Sequence, residues 1–214
     1  EGSDESATLT FTGEVSSAVA AIEGLIYRPE LHFNCSDKLQ FRVSDLGSSG
    51  TGNAEEFITE VALTVIAVND TPVNVVPDDQ VSVEDTPLTF STENSNALSV
   101  FDPDEDAANG ILTVSLAVDG YMSLSGLTGL TFAAGDGMAD GSMLFSGSPN
   151  NINSALLGMT YQGLANFNET SILSLTTTDS GVVGTVENPL IDTDLFSITL
   201  SDVNDTPIVT MPVD

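Results

Sequence analysis

Apolar residues fall on alternate positions through most of this chain, the spacing of strands that bury one face. KLQFRV (38–43), VALTVIAV (61–68), QVSVE (80–84), ILTVSLAV (111–118), SILSLTTT (171–178) and LFSITLSDV (195–203) all carry it. Gly, Asn, Asp and Pro punctuate these runs at short intervals, as an all-β sandwich requires. Two stretches break the period. Ser148-Pro149, then NINSALL and Gly158, supply a helix N-cap, a first-turn proline, a body and a stop. SSAVAAIEG, ending at Gly24, has good helix formers and the same terminal glycine. The pattern predicts an all-β fold with one short helix per repeat, near 149–157 in the second.

The word repeat is earned by the chain itself. VNDTP occurs at 68–72 and again at 203–207. Sliding 9–51 by 134 positions gives twelve identities in 43, among them Phe11/Phe145, Gly24/Gly158, Tyr27/Tyr161, Phe33/Phe167, Leu39/Leu173, Asp45/Asp179, Gly50/Gly184 and Thr51/Thr185. Aromatic residues retained at matching positions are expected in the core. Solenoid units run to roughly 20–50 residues, so a period this long reads as tandem domains. Residues 1–70 then form the C-terminal half of one repeat, 71–205 a complete repeat, and 206–214 the start of a further one. Pro72 cannot donate to a strand ladder, so the linker between repeats is a few residues long.

Charge narrows the partners. The chain has 32 acidic and three basic residues, and Arg28, Lys38 and Arg42 all precede residue 72. Twenty acids and no Lys or Arg follow it. Such a surface repels nucleic acid and anionic membrane, both held chiefly through cationic side chains. It also repels itself, so the compact state calls for cations. With 41% hydrophobic residues in ordered alternation, the charge does not signal disorder. The lone Cys35 excludes an intrachain disulfide, and no run reaches the 18 or so apolar residues a membrane helix needs.

Ca²⁺ takes six to eight oxygen ligands, and three acidic stretches have suitably short spacing. They are FDPDED with Asp102, Asp104 and Asp106, SDVNDTP with Asp202, Asn204 and Asp205, and VEDTP with Glu84 and Asp85. Asp45 and Asp179 recur before glycine-containing turns. Packed carboxylates repel unless solvated or neutralised, so metal sites and exposed acidic turns are the two readings of such clusters.

Order and spacing together resemble cadherin-like tandem repeats, particularly those of very large secreted or surface adhesins of microbes. DVNDTP at 202–207 looks like the cadherin linker signature, with its proline one place early. DPD at 102–104, followed by Asn109-Gly110, looks like the Asp-X-Asp motif, and SDLGSSGTG at 44–52 like the acidic turn before the last strand. The resemblance implies an extracellular or cell-surface structural module stiffened by Ca²⁺ at inter-repeat junctions, touching neighbouring repeats and inserting in no membrane. It implies Asn69, Asp70, Asp102, Asp104 and Asp179 as ligands at the top of the complete repeat. At the bottom it implies Glu84, Asp202, Asn204 and Asp205. Ala67 stands where the first linker should begin with Asp, and no Leu-Asp-Arg-Glu motif is present.

Two N-glycosylation sequons, at Asn34 and Asn168, share one repeat position and suit a glycoprotein. His32 and Cys35 pair a base with a nucleophile, but their counterparts are Asn166 and Glu169, and no nucleophile elbow or phosphate loop occurs. The expectation is a non-enzymatic protein. Two alternatives to the stiffened stalk are a surface-filament subunit, joined to copies of itself by strand exchange or lateral contacts, and a carbohydrate-binding module. The latter needs exposed aromatics, and the chain has no Trp and three Tyr.

Overall fold

The computed structural model describes residues 8–47, 51–104, 110–183, 186–187 and 189–207. Asp106, Asn109, Gly50, Gly184, Thr185 and residues 208–214 of the third segment lie outside the described residues. The chain divides into two compact units, Glu1–Val65 and Ile66–Asp214, and is mostly β.

In the first unit, helix α1 (Val15–Ile22) precedes an antiparallel hairpin of β1 (Ser36–Ser44) and β2 (Glu56–Thr64), paired from Ser36↔Thr64 to Ser44↔Glu56. The strand expected at 61–68 ends early, at Thr64. One further bond, Val65 N–H to Cys35 O at 3.2 Å, uses up the backbone that β1 offers. No side chain of α1 is buried. Phe11 is 53% exposed, Tyr27 is also exposed and Phe33 is half-buried, against the expectation of a packed aromatic core. Tyr27 still finds a partner, donating its hydroxyl to Asp37 Oδ2 at 2.7 Å. That bond raises the Tyr27 pKa and holds the Asp37 carboxyl below its usual range.

The second unit contains β3 (Val73–Val75), β4 (Gln80–Val83), β5 (Leu88–Thr89), β6 (Ser99–Phe101), β7 (Leu112–Ser123), β8 (Thr131–Ala134), β9 (Asp140–Gly147), α2 (Pro149–Leu156), β10 (Thr160–Gln162), β11 (Thr170–Thr178), β12 (Val182–Val183), β13 (Val186–Glu187) and β14 (Ile191–Ser201). The large sheet runs β4-β14-β11-β7-β10-β5, with β9 on the other edge of the first half of β7 and β8 beside β9. β4 pairs parallel with β14. The other pairings are antiparallel, including the separate small sheets β3-β6 and β12-β13. β7 serves both halves because its register shifts between Ala117 and Met122, around Gly120.

Inward positions of these strands form one core. Phe90 meets Phe196 edge-on with centroids 5.7 Å apart, and Leu112, Leu116, Met143, Phe145, Tyr161 and Leu173 surround them. Tyr161 is buried, and its hydroxyl lies within hydrogen-bond distance of Asp119 O and Ser171 Oγ, both at 2.9 Å, so its polar end is satisfied. Phe167, the counterpart of Phe33, is half-buried against the same core.

Helix α2 forms where the sequence placed it. Ser148 Oγ accepts from Asn151 N–H at 3.3 Å, Pro149 occupies the first turn, and Gly158 at φ +90° turns the chain out. Ile152, Ala155 and Leu156 face the core. Asn153 bonds both backbone groups of Val100, accepting from its N–H at 2.8 Å and donating to its O at 2.9 Å, as a neighbouring strand would. Asn153→Ala should therefore cost about 1–3 kcal/mol by orphaning both groups. Urea titration of the whole chain checks this, and Ser154→Ala, at an exposed position on the same helix, supplies the comparison.

The two units coincide in local structure. Val15–Ile22 and Pro149–Leu156 are 134 positions apart, as are Ser36–Ser44 and Thr170–Thr178. Both hairpins keep the same register, Ser36↔Thr64 matching Thr170↔Thr199. His32 and Asn166 both take positive φ, at 61° and 57°. The exposed aromatics of the first unit have a plain cause. Their counterparts are covered by β7, β9 and β6, and the described residues before Val65 contain no matching strands.

Candidate functional site

The FDPDED stretch follows β6, which ends at Phe101, so Asp102 begins the turn that leaves the small sheet. Asp179 directly follows β11. Asn69 and Asp70 precede Thr71-Pro72 and β3, the partner of β6. β3 lies near β11 as well as β6: Asn74 donates to Leu175 O at 3.3 Å and accepts from Thr177 Oγ1 at 2.5 Å. Sheet pairing thus brings three distant stretches to one end of the second unit.

Hydrogen bonds join them in a chain. Asn69 Nδ2 donates to Asp179 Oδ2 at 2.8 Å, and Asp70 N–H donates to Asp104 Oδ2 at 2.7 Å. Asp104 N–H in turn donates to Asp102 Oδ1 at 2.9 Å, while Asp179 Oδ1 accepts from Leu190 N–H at 2.8 Å. Asp102 is 0% and Asp179 5% exposed, with Asn69, Asp70 and Asp104 half-buried. Among the described residues no three His, Cys, Asp or Glu side chains are gathered closely enough to hold a metal between them.

Burial of these carboxylates needs an explanation. Removing an ionised carboxylate from water costs several kcal/mol unless an opposite charge accompanies it. No Lys or Arg exists after residue 42, so the second unit has no side chain of fixed positive charge. Asn69 Nδ2 and the backbone N–H groups of Asp104 and Leu190 donate to them, and a cation from solution would add the opposite charge that this unit's own side chains lack. The donors are all oxygen, which suits a hard cation.

The other sequence-predicted set is looser. Glu84 follows β4 and is 4% exposed. Its backbone N–H donates to Ser201 O at 3.0 Å, and its Oε1 accepts from Val203 N–H at 2.7 Å. Oε2 is buried with no hydrogen-bond partner among the described residues. Asp202, Asn204 and Asp205 are exposed, and Asp202 accepts from the Asn168 side-chain amide. Asn34 and Asn168 both sit on exposed turns just ahead of a strand. Asp45, the counterpart of Asp179, accepts from Gly47 N–H at 2.8 Å and Glu55 N–H at 2.9 Å, which holds its carboxyl below the usual range.

Sequence reasoning did not single out Leu190, whose N–H orients the Asp179 carboxylate. The signal was available in the repeat, because Glu55 does the same for Asp45. No protein-family model and no curated protein sequence matches this chain.

Proposed function

We propose that this chain is a segment of an extracellular array of β-sandwich repeats, stiffened where one repeat follows another by Ca²⁺ bound through Asn69, Asp70, Asp102, Asp104 and Asp179. In this reading 1–70 is the back half of one repeat, 71–205 a complete repeat and 206–214 the opening of the next. The role is structural, a spacer or stalk in an adhesive surface protein, with no catalysis. Its partners are neighbouring repeats, and the exposed Asn34 and Asn168 suit glycan attachment in a host that glycosylates.

The observation that carries the reading is the burial of Asp102 and Asp179 beside Asn69-Asp70 in a unit whose sequence has no Lys or Arg. Coincident helices and hairpin register support the tandem repeat. Glu84, buried with one carboxylate oxygen unmatched, extends the same logic to the far end, where Asp202, Asn204 and Asp205 await ligands from a following repeat. Stiffening follows from electrostatics. Carboxylates that repel one another without metal are bridged by a divalent ion.

Calorimetric titration of the 214-residue chain tests the proposal. CaCl₂ should bind with Kd on the order of 10⁻⁴ M, as in extracellular modules, and MgCl₂ far more weakly, because Mg²⁺ gives up its waters reluctantly. No heat up to millimolar CaCl₂, with a melting temperature indifferent to chelator, would remove calcium from the account.

A further inference from the structure

The outward face of the large sheet in the second unit carries no charge in its central part, and its one acid within these strands, Asp119, stands where β7 bends. Every second residue of β11 from Thr170 to Thr178, of β14 from Ile191 to Ser201, of β7 from Thr113 to Ala117 and of β9 from Ser142 to Ser146 is Ser, Thr, Ala, Ile or Leu. Val81 and Val83 extend the face onto β4. In a chain of net charge −29, five adjacent strands with one outward acid, Asp119, form an exception. The nearest acids are at the rim. Asp79 Oδ1 accepts from Ser197 N–H at 2.8 Å, and Asp119 lies past Ala117 at the register shift of β7.

In the first unit the corresponding positions carry charge. There, Lys38 and Glu60 form an ion pair at 3.0 Å and Arg42 and Glu56 another at 3.6 Å. By the shared register their counterparts are Ile172, Leu195, Thr176 and Ile191. Leu195 is 63% and Ile191 61% exposed. The same backbone thus carries a solvated, paired surface in one unit and an apolar, neutral one in the other.

We infer that this neutral face is where a second copy of the chain docks, face against face. Two chains of charge −29 repel at almost any approach, and this face offers one without like charges opposed. Strands about 4.8 Å apart and residues of about 3.3 Å each give these stretches a patch of roughly 500 Å² per copy. That lies below the ~800 Å² per partner of a standard interface, so the contact suits a weak, reversible association. Screening by salt weakens long-range repulsion more than apolar burial, so association should tighten as ionic strength rises. The inference stands apart from calcium, and is tested with chelator present.

Sedimentation velocity on the whole chain, from about 1 μM to a few hundred μM in 0.5 M NaCl, should show reversible dimers. Ile172→Lys with Leu195→Glu, which copies Lys38 and Glu60 at no net charge, should weaken the dimer at least tenfold. Thr176→Arg, copying Arg42, should weaken it independently. Leu157→Lys with Leu164→Glu, also exposed and apolar but off this face, should leave it intact. A wild type that stays monomeric, a dimer indifferent to both face variants, or one lost equally in the off-face control would each overturn the inference. Dimers held instead by the exposed aromatics of the first unit would appear as the second of these results.

Discussion

Gly120→Ala should lower the stability of the second unit by about 2–6 kcal/mol. Two costs combine. Gly120 has φ +131°, a conformation that L side chains rarely adopt, and a Cβ there would lie 2.7 Å from both Gln162 O and the Tyr161 ring. Neither neighbour can retreat cheaply. Gln162 pairs with Tyr121 in the β10–β7 ladder, and the Tyr161 ring is buried with its hydroxyl held by Asp119 O and Ser171 Oγ. At about 2–4 °C per kcal/mol for a unit of this size, the melting temperature should fall by roughly 5–20 °C. Gly126→Ala, where a new Cβ meets nothing within 4 Å, should change it little. Thermal melts of both variants decide the matter. Equal melting would mean that the close packing of Tyr161 under the bend in β7 does not hold in solution.

Much of the fold was legible because its strands bury one face each. SILSLTTT and KLQFRV became β11 and β1 within two residues, and the capped segment at 148–158 became α2. β3, β5, β6, β8 and β10 were missed, since strands of two to four residues leave too little alternation to detect, and so was β9, where Met143, Leu144 and Phe145 in succession hide the period. β7 runs five residues past the expected 118, because the chain re-registers at Gly120 rather than stopping there. The aromatic positions were read correctly in chemistry but only half correctly in burial. Phe145 and Tyr161 are buried while Phe11 and Tyr27 are exposed, and the difference lies in which covering strands accompany each unit. The candidate site was visible only as acidic stretches. Its assembly depends on the β3–β6 pairing, made by two of the strands that sequence reasoning did not find. The contrast between Lys38–Glu60 and Ile172–Leu195 was present in the sequence too, but it has meaning only once both hairpins share a register.

Asp102→Asn should act in opposite directions with and without calcium. Asparagine keeps the side-chain oxygen that accepts from Asp104 N–H at 2.9 Å, and it removes a charge from a fully buried position. In chelator that relieves a desolvation cost which no Lys or Arg of the second unit offsets, so the variant should melt at or slightly above the wild type. In calcium the order should reverse. At a concentration near 100 times Kd the wild type gains about 2.7 kcal/mol by mass action, worth roughly 5–10 °C in this unit, and the variant should keep less than a third of that. Asp104→Asn should lose the increment similarly, while Asp119→Asn, exposed and remote in the fold from Asn69-Asp70, should keep it. The crossing is what separates a metal ligand from a structural acid. If Asp102 served only to tie down its own turn, Asp102→Asn would lower the melting temperature by the same amount in calcium and in chelator. Parallel melts of that kind would assign Asp102 to the fold and not to a metal.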